Sequence, residues 1–461
     1  MWAVLFAMPS AGAQQLPGPV LQALARAGIP AEAVGAHVQE AGAGRVLVAD
    51  NPATPFNPAS VMKLVTTGAA LDLLGPASTW NTAAYASGAL SGDVLQGDLV
   101  LKGGGDPRLV VENLWQFLRE IRARGIREIR GNLVLDRSLF AADGHDPAQF
   151  DGEPARPYNA GPDALLLNYK SISVRFLPNP AQGQVALAVE PPLATFQVIA
   201  PKLGSGDCGE WRNNLLMKQD GRALEFAGVY PASCGEKNLQ VLAWNMSATR
   251  YFEIVFRRLW SDLGGVLTGA VIDGVTPADA WLVAQRESVS LAEVVRDINK
   301  FSNNVMARQL LLTLAARFTG QVATAANGGE VIKTWLAVRR IEMPELVLDN
   351  GSGLSRDGRI SAGSLGRLLQ LVFRAPTMPE FMASLPLAGQ DGTMRKRLNG
   401  HAVAGNAHIK TGYLREARAI AGYVLAASGK RYAVVFLINH PNAGGGAEAQ
   451  DLLLKWVYEN G

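Results

Sequence analysis

Hydrophobic and polar positions alternate between 35 and 50, and the pattern breaks at Gly42 and Gly44. This predicts two short strands joined by a turn. A different rhythm follows. Val61, Leu64, Val65, Leu71 and Leu74 approximate a helical period, Pro58 and Ser60 suit a helix entry, and Gly75 and Pro76 suit its exit. The run is apolar almost all round, so the pattern predicts a largely buried helix over 60–74. From about 80 to 274, segments 98–101, 131–135, 171–176 and 184–189 read as strands punctuated by Gly, Pro, Asn and Asp. One helix, near 111–124, interrupts this β-rich block. Helical spacing returns at 290–299, where Ser290 and Glu293 form a capping-box pattern. It continues at 305–318, 330–339 and 362–373. Strand-like runs at 409–412, 419–426 and 432–438 precede a final helix over 447–459.

Composition narrows the class. The chain has 461 residues, 48% hydrophobic and 18% charged, with a formal charge of +3. That apolar content supports sizeable cores, which excludes a disordered chain, and the length suggests about three domains. The small charge and the lack of a dense Lys/Arg run argue against nucleic acid as a partner. Two cysteines are too few for a disulfide-dense mini-protein or a four-cysteine metal site. The five His show no H-E-x-x-H or H-x-H spacing, so a zinc peptidase is disfavoured and no metal or cofactor is expected. No G-x-S-x-G elbow occurs either.

Residues 1–8 form a short apolar run, and Ala11-Gly12-Ala13 then fits an A-x-A-like export cleavage site. No basic residue precedes the run. The expectation is a leader over 1–13 and an exported chain from Gln14; the alternative is a buried N-terminal strand. The run falls well short of the roughly 20 apolar residues of a spanning helix, so no transmembrane segment is expected. An oxidising compartment would let Cys208 and Cys234 pair within a turn-rich stretch, in preference to two separate thiols.

Three short motifs carry candidate chemistry. Ser60 and Lys63 form S-x-x-K, which places hydroxyl and amine on one helical face. A seryl oxygen needs a base within hydrogen-bond reach, and a lysine serves if burial lowers its pKa. The plainer reading is a capping Ser followed by a surface Lys, but the apolar surroundings would then bury a cation to no purpose. Ser302-Asn303-Asn304 lies in a break between two predicted helices and can present a hydroxyl and a carboxamide together; alone it reads as an ordinary loop. Lys410-Thr411-Gly412 lies on a strand-like run. There a cation and a hydroxyl can bind a carboxylate, and Gly admits a close substrate backbone; alone it reads as a strand-end turn.

In that order the motifs approach the S-x-x-K, S-D-N and K-T-G set of β-lactamases and penicillin-binding proteins. The chain resembles the class C low-molecular-mass penicillin-binding proteins, the D-alanyl-D-alanine carboxypeptidase/endopeptidase family. The resemblance runs through 56–64, 101–107, 349–355 and 386–393. Spacing agrees with it: Ser60 and Ser302 are 242 residues apart, Ser302 and Lys410 only 108, and class C members carry extra domains in the first gap.

The resemblance implies an α/β (α+β) serine β-lactamase/DD-peptidase-like core, an antiparallel sheet flanked by helices. It assigns 14–75 and 276–461 to that catalytic domain and 76–275 to an inserted β-rich region of two nested domains, which holds both cysteines. It further implies a periplasmic serine DD-peptidase acting on peptidoglycan stem peptides, with β-lactam antibiotics as covalent inhibitors and a peripheral association with membrane or wall. The resemblance also implies the roles: Ser60 would become acylated, Lys63 would take its proton, and Ser302 with Asn304 and Lys410 would return a proton to the leaving group. Thr411 and Lys410 hold the terminal carboxylate. Gly412 lies beside the substrate, and the N–H groups of Ser60 and Tyr413 form an oxyanion hole. Arg356 is a candidate for the diaminopimelate end of the stem peptide, equally readable as a loop-surface arginine. Two departures stand out: Asn303 replaces the Asp of S-D-N, and Tyr413 stands where relatives often carry a small hydroxyl residue. The competing readings are a serine β-lactamase and a non-catalytic wall-binding protein.

Overall fold

The computed structural model describes residues 15–42, 44–142 and 144–461. The expected leader over 1–13 lies outside them. The chain folds as two compact units. Of the described residues, the first comprises those within 15–78, 290–314 and 325–461, and the second those within 79–289 and 315–324.

Among the described residues, the first unit is built on a five-stranded antiparallel sheet. Its spatial order is Ala407–Leu414, Ala417–Leu425, Arg431–Asn439, Val34–Glu40, Val46–Asp50. Strand alternation gives the sheet two buried faces. Ala36, Val38, Ile420, Val434 and Phe436 share a core with Val20 and Leu24 of the helix Gly18–Arg26 and with Leu453 and Val457 of the helix Ala447–Asn460. His37 and Tyr423 project the other way. His37 abuts Gly366 of the helix Ala362–Arg374, and the Tyr423 hydroxyl donates to the Leu369 carbonyl of the same helix at 2.7 Å. Lys410 pairs with Ala421 and Ala421 with Val435, which faces His37. Residues directly opposite one another share a face, so Lys410 points into this second layer. That layer also holds the helices Lys63–Leu74 and Leu291–Lys300, which pack against each other.

The edge strand Ala407–Leu414 is paired on its outer side only in part. Ile409 N donates to Pro386 O at 2.8 Å and Ala388 N to Ala407 O at 2.9 Å. Backbone groups two residues apart on a strand point the same way, so the N–H groups of Thr411 and Tyr413 face the outer side as Ile409 does.

The second unit contains a seven-stranded mixed sheet, which includes the hairpin Asn81–Ser91/Val94–Lys102, and two smaller sheets. Its boundary differs from the expected 275. The strand Trp281–Glu287 pairs antiparallel with Asn81–Ser91 and so extends the unit to Val289. The two nested domains expected here share one core, which runs from Leu99 through Phe252 to Phe176 and Phe226. A second helix, Ala248–Asp262, stands in the block read as strands with a single helix. Ser247 caps it by accepting from Arg250 N at 3.0 Å, and Tyr251, Phe252, Val255, Phe256 and Leu259 bury one stripe. Cys208 and Cys234 are joined by a disulfide, with Cα atoms 4.7 Å apart. Cys234 lies in the core that holds the Phe176, Trp211 and Tyr230 rings. Among the described residues no helix is long and apolar enough to cross a membrane.

Candidate active site

Ser60 lies in a 3-10 turn, Ala59–Met62, that feeds directly into the helix Lys63–Leu74. The turn is clamped from both sides. Asn57 N donates to Asn439 Oδ1 at 2.6 Å, and Asn439 Nδ2 returns a bond to Asn57 O at 2.9 Å. Asn57 Oδ1 accepts from Ala59 N at 2.9 Å. Ala59 takes φ +47°, a left-handed conformation that costs a non-glycine residue of order 1 kcal/mol. Such strain persists where surrounding bonds over-determine it, as this clamp does.

Lys63 is fully buried one turn on. Its Nζ lies 2.9 Å from Ser60 Oγ, 2.5 Å from Asn304 Oδ1 and 2.6 Å from Ser352 O. Burial, reinforced by the charges of Lys410 and Arg308, pushes the ammonium well below its ordinary value. A neutral amine has two N–H donors and one lone pair. In that form the two carbonyl oxygens would take the two donors and the lone pair would face Ser60 Oγ.

Ser302 and Asn304 come from the break between the helices Leu291–Lys300 and Asn304–Phe318. Ser302 adopts φ +58°. The middle residue of the motif is a helix cap: Asn303 Oδ1 accepts from Met306 N at 3.0 Å. Asn and Asp cap about equally well, so the departure from S-D-N keeps the local fold.

Lys410 is also fully buried, and burial pushes its ammonium down to about 7. It donates to Ser302 Oγ at 2.9 Å and to Thr411 O at 2.7 Å. Gly412 makes this proximity possible. A Cβ there would stand 2.6 Å from Pro58 O and 3.1 Å from Ser60 N, so only glycine lets the strand lie against the Ser60 turn. Tyr413 is 63% exposed, with the Arg418 guanidinium 5.7 Å from its ring centre.

The structure therefore brings Ser60, Lys63, Ser302, Asn304, Lys410 and Gly412 into one constellation, with Thr411 and Tyr413 along its rim. Arg356 is exposed on the adjoining loop, and its carbonyl accepts from Asn57 Nδ2 at 3.3 Å. Cys208 and Cys234 belong to the second unit. Sequence reasoning missed Ser352, Asn57, Asn439 and Thr393, whose hydroxyl accepts from Thr411 Oγ1 at 2.7 Å. The loops at 349–355 and 386–393 carried a signal, since the resemblance runs through both. Gly353 shows why the first is built of small residues: a Cβ there would meet Ala59 O at 1.9 Å.

Comparison with known proteins identifies the family and the fold. Residues 19–458 match the family model described as the D-Ala-D-Ala carboxypeptidase 3 (S13) family. The chain is 25% identical over 403 residues to the D-alanyl-D-alanine carboxypeptidase DacB of Haemophilus influenzae, covering 86% of this chain and 84% of that protein. It is 28% identical over 415 residues to a D-alanyl-D-alanine carboxypeptidase of an Actinomadura species, covering 86% and 76%. The crystal structure of penicillin binding protein 4 from Haemophilus influenzae has the same fold, with a TM-score of 0.80 at 23% identity, covering 95% of this chain and 99% of that one. The chain belongs to the D-Ala-D-Ala carboxypeptidase 3 (S13) family, a family of serine-type D-Ala-D-Ala carboxypeptidases.

Proposed function

We propose that the protein is an exported serine DD-peptidase. It cleaves D-Ala–D-Ala or D-Ala–diaminopimelate bonds in peptidoglycan stem peptides through an acyl-enzyme at Ser60. The observation that carries this reading is the buried Lys63 amine 2.9 Å from Ser60 Oγ, with its two other neighbours both acceptors. Ser60 gives its proton to Lys63 Nζ as its oxygen attacks the scissile carbonyl. The developing oxyanion sits between Ser60 N–H and the outward-facing Tyr413 N–H, a device in which one donor is worth about 3–4 kcal/mol. The proton reaches the leaving amine through Ser302, whose hydroxyl Lys410 holds at 2.9 Å. Lys410 and Thr411 attract the terminal carboxylate, and water then releases the acyl group. A β-lactam ring opened by the same attack leaves Ser60 acylated. The Cys208–Cys234 disulfide supports an oxidising compartment such as the periplasm.

The test is release of free D-alanine from a pentapeptide ending in D-Ala–D-Ala. The wild-type protein releases it and Ser60→Ala does not. Equal release by both would overturn the reading.

A further inference from the structure

Among the described residues, backbone bonds from 386–388 close the sheet edge beside the site as far as Ile409. The closing segment continues into Asp391-Gly392-Thr393, and its path is fixed at three points. Asp391 Oδ1 accepts from Leu387 N at 2.7 Å, and its Oδ2 takes the Lys300 ammonium at 2.5 Å. Gly392 has φ +54°, and a Cβ there would stand 2.6 Å from Lys300 O. The loop is thereby tied to the residue two before Ser302, and it ends with the Thr393 hydroxyl 2.7 Å from that of Thr411.

We infer that Thr393 is a second hydroxyl of the carboxylate site, a substrate-binding residue that acts with Thr411 and Lys410 on the leaving group. The inference rests on the DD-peptidase reading and deepens it. Two hydroxyls bonded to one another use one O–H between them and leave the other free to donate outward. Thr411 Oγ1 is the donor of that pair, so the free O–H is that of Thr393, and it can donate to an arriving carboxylate. Thr393 is exposed, hence open to solvent and ligand. The Lys410 ammonium contacts the backbone carbonyl of Thr411 at 2.7 Å and supplies the charge, while the hydroxyls supply direction. The Lys300–Asp391 pair fixes the loop that carries Thr393, so the pocket links the Ser302 loop to the Lys410 strand. Leaving-group recognition is thereby built from the same elements that hold the proton relay.

The experiment compares acylation of Ser60 by benzylpenicillin and by its methyl ester, which lacks the anionic carboxylate, in wild type, Thr393→Val and Thr393→Ser. A hydrogen bond to a charged group is worth enough to give about a 10- to 100-fold effect. Thr393→Val is expected to slow acylation by the free acid by that factor and to leave the ester within about twofold. Thr393→Ser, which keeps the hydroxyl, is expected to restore the acid rate. Equal slowing of both compounds, or of neither, overturns the assignment while leaving the DD-peptidase reading intact. A wild-type protein acylated by neither compound overturns both.

Discussion

Lys410→Met should stabilise the protein while disabling it, and the gain should fade as pH rises. Lys410 is fully buried, and burial alone moves its ammonium from 10.5 down to about 7. At about 1.4 kcal/mol per pH unit, the charged form is disfavoured in the folded state by roughly 5 kcal/mol. In the unfolded chain the lysine stays protonated up to its ordinary value. Below pH 7 both states are charged and the folded protein carries the whole cost; between 7 and 10.5 the folded state binds fewer protons, so the cost shrinks as pH rises. Methionine removes that cost but also loses the bonds to Ser302 Oγ and Thr411 O, together about 2–3 kcal/mol. The variant should therefore be more stable than wild type by about 2–3 kcal/mol at pH 5.5 and nearly equal to it at pH 9. Urea melts of both proteins at the two pH values measure this directly. A stability difference that does not change with pH would refute the assignment of a buried, charge-penalised Lys410.

Three further outcomes follow from the same geometry. Gly412→Ala places a methyl 2.6 Å from Pro58 O and should cut kcat/KM for D-Ala release by at least about 100-fold, whereas Gly221→Ala, with nothing within 4 Å, should match wild type. Because Lys63 must be neutral and Lys410 charged, kcat/KM for an anionic substrate should fall at low pH as Lys63 takes up a proton. It should fall again as pH rises through about 7, and this upper limb should be missing for the methyl ester of benzylpenicillin. Replacing Cys208 and Cys234 together by alanine opens a loop of separation 26 and should lower stability by roughly 3 kcal/mol in chemical denaturation, with kcat unchanged.

Much of the fold was legible because its signals are local. The capping box at Ser290 is present, with Glu293 reaching back to Ser290 N at 3.2 Å. The helix expected over 60–74 begins as a 3-10 turn through Met62, whose three residues per turn set Ser60 in line with Lys63. The apolar stripe of the helix Ala248–Asp262 has helical spacing, but the alternating runs on either side mask it. The extent of the second unit was not legible, since the pairing of Trp281–Glu287 with the distant strand Asn81–Ser91 leaves no local trace. Within the site, the residues that project functional side chains sit in recognisable motifs. The supporting contacts do not. Ser352 acts through its carbonyl, which any residue possesses, and Thr393 meets Thr411 only because a glycine turn brings it there.

The central claim is that Ser60 is a nucleophile activated by a neutral Lys63. It is tested most directly by incubating the folded protein with a fluorescent penicillin, followed by proteolysis and mass spectrometry. The account predicts a single covalent adduct on the peptide containing Ser60, lost in Ser60→Ala and formed at least about 100-fold more slowly in Lys63→Met. Absence of any adduct, or an adduct on another residue that persists in Ser60→Ala, would contradict it.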